Sequence, residues 1–436
     1  MIKPALDHMP AEILADICRH LCSHCTNDRL SHYPQPNSLA TPDAAILWEK
    51  PSARMTTGLL SLARTCQVLN NAATPYVYHD IDAKRWSEQE INEFLKDRRQ
   101  LHKRSFIRRL TYELDPFPLY TLLYRMPNLQ LLSLIDRGTF GQTLASKSQK
   151  LLDLRYLHLE RSTSSGSTRD LSTLENLFEM APNIKTLVIN AGVLECKAKL
   201  CNSPNVPLAN LTCLKLYNVS VNLRILKGLL DNCGPLQSFI YICQGEGSVT
   251  PSILPFALSK SSSNSLRYLE CYWHSTHLAS LESSLLHSLK MFERLETLVL
   301  GGTSDSIRLL GAGTSHAKEL DPTSLTELLP ASIVEVRIDS EHLHKDMYQP
   351  MLALCQAKQA GSFPKLRSFL QGNFDVSRVP YTLGDLSELF ERYGVSFKQE
   401  ATSVFPPAVT RSRLRLIFQV AGPLSPPVVT LTQESP

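Results

Sequence analysis

The 436-residue sequence has no run of about 18 or more apolar residues of the kind that spans a bilayer. It has no excess of one charge either. Forty-five lysines and arginines face 41 aspartates and glutamates, a formal net charge of +4, so composition points to neither a nucleic-acid nor a membrane partner. A secretory signal is not expected, because Glu12, Asp16 and Arg19 interrupt the first apolar stretch. Catalytic motifs are missing as well: there is no P-loop, no GxGxxG after a strand, no HExxH and no GxSxG. GGTSDS (301–306) and LLGAGTS (309–315) are glycine-bearing but lack phosphate-binding spacing. Neither an enzymatic activity nor a cofactor is expected. A cryptic catalytic site would have to be assembled from distant segments around a deep polar pocket.

Cysteine is present, but not as a framework. The eleven cysteines are an odd number scattered over a long chain, which fits small buried hydrophobes in the reducing cytosol or nucleus. The tightest group is CRHLCSHC, with Cys18, His20, Cys22, His24 and Cys25. Cys22 and Cys25 have CxxC spacing, which suits zinc or a redox pair. No second CxxC supplies the other half, and Cys18 and Cys22 fall on consecutive turns of one helix, so packing is the expectation rather than metal binding.

The helix is MPAEILADICRHL, Met9 to Leu21. Pro10 fits a first helical position, where its missing N–H costs nothing, and Glu12 in the first turn suits the helix dipole. Ile13, Leu14, Ile17 and Leu21 form one apolar stripe, too small to be a core alone. Its partner is TTGLLSLARTCQVLNNAATPYVYHDI (56–81), in which Leu59, Leu62, Ala63, Cys66, Leu69 and Ala73 recur at helical spacing and Pro75 limits the run. Between the two lies a turn-rich stretch of roughly 36 residues, tolerable because loop-closure entropy grows slowly with length, with one short helix expected at Ala44 to Trp48.

These two segments resemble an F-box domain of the filamentous-fungal kind, in which a long insertion follows the first helix. The family's Leu-Pro-x-Glu-Ile/Leu opening is matched by Met9, Pro10, Glu12 and Ile13, and its later part by Leu59, Leu62, Ala63, Cys66, Leu69, Ala73, Pro75 and Tyr78. Methionine replaces the usual leucine, and the match covers about 60 residues. The resemblance implies docking onto a Skp1-like adaptor, and through it a cullin-RING ubiquitin ligase, by way of Pro10, Ile13, Leu14, Ile17, Leu59 and Leu62. The plainer reading is a pair of core helices capping the domain on their C-terminal side.

The chain beyond residue 107 is periodic. An apolar-x-x-apolar-x-apolar pattern returns in LQLLSL (129–134), LRYLHL (154–159), IKTLVI (184–189), LTCLKL (211–216) and LETLVL (295–300), with weaker copies at 107, 236, 266, 333 and 366. Their fourth positions lie 22 to 38 residues apart, about 29 on average, a spacing at the upper end for leucine-rich repeats. Helical stripes such as LRILKGLLDNC separate the strands. The expected fold is α/β: an N-terminal three-helix F-box-like module followed by a curved leucine-rich-repeat solenoid, strands on the concave side. An ordinary doubly wound sheet gives no reason for ten near-copies of one strand. The chain is similar to the leucine-rich-repeat class of F-box proteins, although the repeat's asparagine position is met best only by Asn190 and Asn218.

The expected organisation is a helical module over 1–82 with its insertion at about 23–58, a linker helix at 83–106, the solenoid at 107–372, a cap at 373–421 and a disordered tail at 422–436. The basic run Lys96 to Arg109 is expected to be the solvated face of the linker, with Phe94, Leu95, Leu101 and Phe106 turned inward. On the strands, residues between the leucines should be displayed to a target protein: Tyr156, His158, Lys215, Tyr217, Tyr268, Glu270, Tyr272, Trp273 and Arg337. The implied function is a non-catalytic substrate-recognition subunit of a Skp1-cullin-F-box ligase. The alternative is a ligase-independent scaffold with the same helices and repeats.

Overall fold

The structure is a computed structural model and describes residues 9–22, 25, 53–84, 86, 88–97, 101–114, 119–136, 150–161, 169–170, 175–190, 193–195, 208–243, 249, 251–273, 288–302, 321–340, 347–372 and 383–400. Most of the insertion, including Ala44 to Trp48, and the stretch 401–436 lie outside the described residues. Among the described residues no helix is long and apolar enough to cross a membrane.

The chain opens with three helices, α1 (Ala11–Leu21), α2 (Ala53–Ala63) and α3 (Gln67–Val77). Pro10 sits one position earlier than expected, at the cap, where its carbonyl accepts the Ile13 and Leu14 amides at 3.1 Å. Pro75 does not stop α3 at once; the helix runs two residues further, to Val77. The three helices pack on one another around Cys18, Cys22, Leu59 and Ala73. Two further helices, α4 (Glu88–Lys96) and α5 (Leu101–Arg104), occupy the expected linker.

The rest is dominated by a sheet. Twelve parallel strands follow chain order: β1 (Asp80–Asp82), β2 (Arg109–Leu114), β3 (Leu131–Asp136), β4 (Tyr156–Arg161), β6 (Thr186–Asn190), β8 (Cys213–Tyr217), β10 (Ser238–Cys243), β11 (Tyr268–Trp273), β12 (Thr297–Gly302), β13 (Glu335–Ser340), β14 (Ser368–Gly372) and β15 (Ser396–Glu400). Three short strands, β5 (Arg169–Asp170), β7 (Val193–Glu195) and β9 (Ser220–Val221), make a second parallel sheet. The sequence motif sets the register. Leu110, Leu132, Leu157, Leu187, Leu214, Phe239, Leu269, Leu298, Val336 and Phe369 are successive cross-strand partners, all buried in one core. At about 1.5–3 kcal/mol per fully buried side chain, this row outweighs exposed ion pairs such as Lys260–Asp231, worth about 0–1 kcal/mol each.

A second regularity lies in the backbone. From β1 to β13 of the large sheet the carbonyl just before the strand accepts two successive amides of the next: His79 takes Arg108 and Arg109, Arg108 takes Gln130 and Leu131, and the pattern continues through Gln130, Arg155, Lys185, Thr212, Gln237, Arg267, Glu296 and Val334. His79 therefore ends the helical module and begins the sheet.

The expected curved solenoid is corrected here. The sheet is a large all-parallel one with flanking helices, and it is not strongly curled. Strong curl arises when helices, packed 8–10 Å apart, back strands only about 4.8 Å apart. Among the described residues three connecting helices are short: α6 (Leu119–Tyr124), α7 (Glu175–Met180) and α10 (Ser324–Leu328) have five or six residues each. α4, α8 (Leu223–Asn232), α9 (Leu254–Ser262), α11 (Tyr348–Gln359) and α12 (Leu383–Arg392) have nine to twelve residues each. Beside α6, α7 and α10 the mismatch that would bend the sheet is small.

The C-terminal helix and strand read from LGDLSELFERYGVSFKQE are α12 and β15, and β15 joins the same sheet, with Phe397 opposite Phe369. Phe369, Phe390 and Phe397 pack their rings together there.

Candidate functional site

On the helical module, the six residues singled out for adaptor binding divide into two groups. Leu14 and Leu59 are buried and hold the helices together, whereas Pro10 and Ile13 are exposed and Ile17 and Leu62 are half-buried. Sequence reasoning missed two further surface residues, Leu60 and Val68. Together with Ile13 they put one large apolar side chain per helix into solvent: Ile13 is 47%, Leu60 38% and Val68 48% exposed. They account for three of the seven exposed large hydrophobics among the described residues, although the module is the smaller part of the chain. A helix turn with buried Leu59 beside exposed Leu60 has more apolar residues than one core-facing stripe needs. That surplus was the signal available in GLLSL.

At the end of α1 the chain brings Cys22 and Cys25 to His79. Cys25 Sγ lies 3.3 Å and Cys22 Sγ 3.7 Å from His79 Nδ1, and Cys22 also donates to the Tyr76 carbonyl at 3.7 Å. The three ligand atoms lie within 4.8 Å of one another. A hydrogen bond from Cys25, aided by His79, pulls the Cys22 thiol down to about 4 against the opposing effect of burial. Cys18, one turn earlier, is pushed up by burial and then by the Cys22 charge. His20 turns away, its Nδ1 3.0 Å from the Asp16 carbonyl. His24 lies outside the described residues. A lone histidine 54 residues from Cys25 carries no sequence signal of its own; only the fold places it.

The sheet surface opposite the main core holds the other candidates. Strand alternation puts Tyr156, His158, Lys215, Tyr217, Tyr268, Glu270, Tyr272 and Arg337 on the side away from the leucine row. Trp273 is the correction. β11 runs past the motif, so Trp273 has the parity of Leu269 and Cys271 and is buried in the main core, its ring edge-on to Tyr241 at 6.4 Å. Tyr272 is also buried, with Ile240, Ile242 and Val299, and Tyr217 and Tyr268 pack against this group.

Glu270 and Arg337, expected on display, are buried on this face. Tyr268 donates to Glu270 Oε2 at 2.6 Å. Burial, then the Glu270 charge, pushes both Tyr217 and Tyr268 well above the ordinary tyrosine value. Along the central row Lys215, Ile240, Glu270, Val299 and Arg337 are successive partners, so cation, carboxylate and cation alternate with apolar side chains. Ser133 Oγ and His158 Nδ1 lie 3.0 Å apart on adjacent strands, the pairing of a nucleophile with a base. Both side chains are buried, so the hydroxyl is not presented to a substrate, and the pair reads as mutual satisfaction of buried polar groups.

Two other expectations meet the structure here. Asn190 and Asn218 do act together: Asn218, in the left-handed region at φ 54°, donates from Nδ2 to Asn190 Oδ1 at 3.0 Å. The basic run is not wholly solvated. Arg104 is buried and donates to the Phe94 and Asp97 carbonyls at 2.6 and 2.9 Å, and buried Arg109 lies 3.6 Å from Asp80. Leu101, expected inside, is exposed, because α5 is only one turn long and ends by turning Arg104 inward.

Compared with known proteins, the chain matches no protein-family model and no curated protein sequence.

Proposed function

We propose that the chain is a non-catalytic interaction protein whose N-terminal helices dock a Skp1-like adaptor, as an F-box does, while the sheet presents a target protein to the ligase that the adaptor joins. The observation that carries this reading is the apolar surplus of the module: three packed helices, each exposing one large aliphatic side chain, Ile13, Leu60 or Val68, over a core they do not need to complete. Exposed apolar surface of this kind is stable in water when a partner covers it. The F-box-like order of Pro10, Glu12, Ile13 and Leu59 supports the same partner. In this role the chain supplies proximity, raising the effective concentration of target lysines near a charged conjugating enzyme, and contains no reacting group itself.

The test is co-purification of the full chain with a Skp1-like adaptor and a cullin, beside an Ile13→Asp, Val68→Asp double variant. Both positions are exposed, so the variant should fold. Capture of adaptor and cullin by the parent chain, lost in the variant, is the expected result. Capture of the adaptor without the cullin would replace the ligase role with a ligase-independent scaffold, and capture of neither would remove the docking role altogether.

A further inference from the structure

We propose that Cys22, Cys25 and His79 form a zinc site that clamps the end of the first helix to the start of the sheet. The donor set fits: two sulfurs and an imidazole nitrogen are the ligands zinc prefers, and softness and geometry disfavour calcium or magnesium. The spacing fits too. Bonds of about 2.3 Å to sulfur and about 2.0 Å to nitrogen at tetrahedral angles put sulfur and nitrogen about 3.5 Å apart. The two sulfur-to-Nδ1 distances are 3.3 and 3.7 Å, on either side of that value. Only small adjustments would let a metal replace the present hydrogen bonds.

The surroundings suit a bound thiolate pair. Cys22 is buried at the helix terminus, and Cys25 is half-buried, so the site is sheltered yet reachable. Three protein ligands leave one tetrahedral position for solvent. The consequence is architectural. Cys22 and His79 are 57 residues apart, so the metal would close the loop that contains the whole insertion, and would do so at the residue whose carbonyl starts the strand ladder.

The full chain, purified under reducing conditions and stripped of metal, is titrated with cobalt(II) and separately analysed for zinc after expression. The expected result is one metal per chain, with the thiolate-to-cobalt absorption and tetrahedral visible bands of a two-sulfur site. Cys22→Ser, Cys25→Ser and His79→Gln should each weaken binding by more than the roughly 10–100-fold that loss of an outer-shell partner costs. Cys18→Ser, one turn away in the same core, should bind like the parent, and circular dichroism should show all four variants folded. Absence of stoichiometric metal in the folded, reduced chain would overturn the site, as would binding that survives Cys25→Ser and His79→Gln, or loss on Cys18→Ser alone. A metal-free Cys22–Cys25 disulfide as the resting state would do so equally. The titration uses no adaptor protein, so its failure leaves the docking reading standing, and the converse holds as well.

Discussion

Gly301 and Tyr272 are direct cross-strand partners, and the tyrosine ring occupies the space a side chain at 301 would need: a Cβ there would meet Tyr272 Cε1 at 2.0 Å. The glycine is thus a seat for the ring, which in turn completes the apolar group of Ile240, Ile242 and Val299. Gly301→Ala should lower stability by about 1–3 kcal/mol, the usual cost of overpacking. The cost should shrink in a Tyr272→Ala background, where the ring is gone. Denaturant midpoints of the two single variants and the double variant check this; equal effects of Gly301→Ala in both backgrounds would sink it.

The helical module makes a sharper contrast between neighbours. Leu14 is buried and Ile13 is half in water, one residue apart on α1. Leu14→Ala should cost about 2–5 kcal/mol, as core truncations do. Ile13→Ala should stay within about 0.5 kcal/mol of the parent. Thermal or denaturant unfolding of the two variants would distinguish them, and a larger loss at Ile13 than at Leu14 would mean that the helix is turned the other way.

Tyr268 and Glu270 lie two residues apart on one strand and share a 2.6 Å hydrogen bond on a half-covered surface. A bond to a charged group contributes about 1.5–3 kcal/mol. Tyr268→Phe should therefore destabilise the parent chain but have little effect in a Glu270→Gln background, and the coupling in that double-mutant cycle measures the pair. A coupling near zero would show that the carboxylate is held by its other neighbours.

Alkaline pH probes the same surface. Tyr217 and Tyr268 hold their protons well above the ordinary tyrosine value near 10 because burial and the Glu270 charge oppose a phenolate. The folded chain therefore binds these protons more tightly than the unfolded chain. Their contribution is complete below about pH 10 and is lost as pH rises from there towards the folded-state values. Ultraviolet difference spectra should show the Tyr217 and Tyr268 phenols still protonated in the folded chain at pH values where ordinary tyrosines ionise. Smooth titration of all tyrosines near pH 10 in a folded chain would contradict this.

Much of the sheet was legible in the sequence because one physical rule, period-two alternation, fixes both register and face. The row from Leu110 to Phe369 could be read directly, and so could the face of the sheet to which Tyr156, Lys215 and Glu270 belong. Trp273 was misplaced because the rule was not carried past the sixth position of its motif, where the strand still alternates. Curvature was not legible, since it depends on how thick the connecting layer is, and an apolar stripe does not say how far its helix runs, as at Glu175–Met180. Arg104 and His79 were invisible for another reason. Each owes its role to partners that local periodicity does not encode: two carbonyls for the arginine, and a distant pair of thiols for the histidine.

The strand order has a consequence for how the chain assembles. Every strand of the large sheet is paired with the strand that precedes or succeeds it in that sheet's chain order, and even the widest step, from Thr297 to Glu335, spans only 38 residues. No pairing waits on the meeting of distant ends, so structure started at any adjacent pair can grow in both directions, each new strand closing a short loop. The same arrangement means that tension applied to the two ends would be borne by the terminal strands first and would peel the sheet one strand at a time, leaving the interior paired until last.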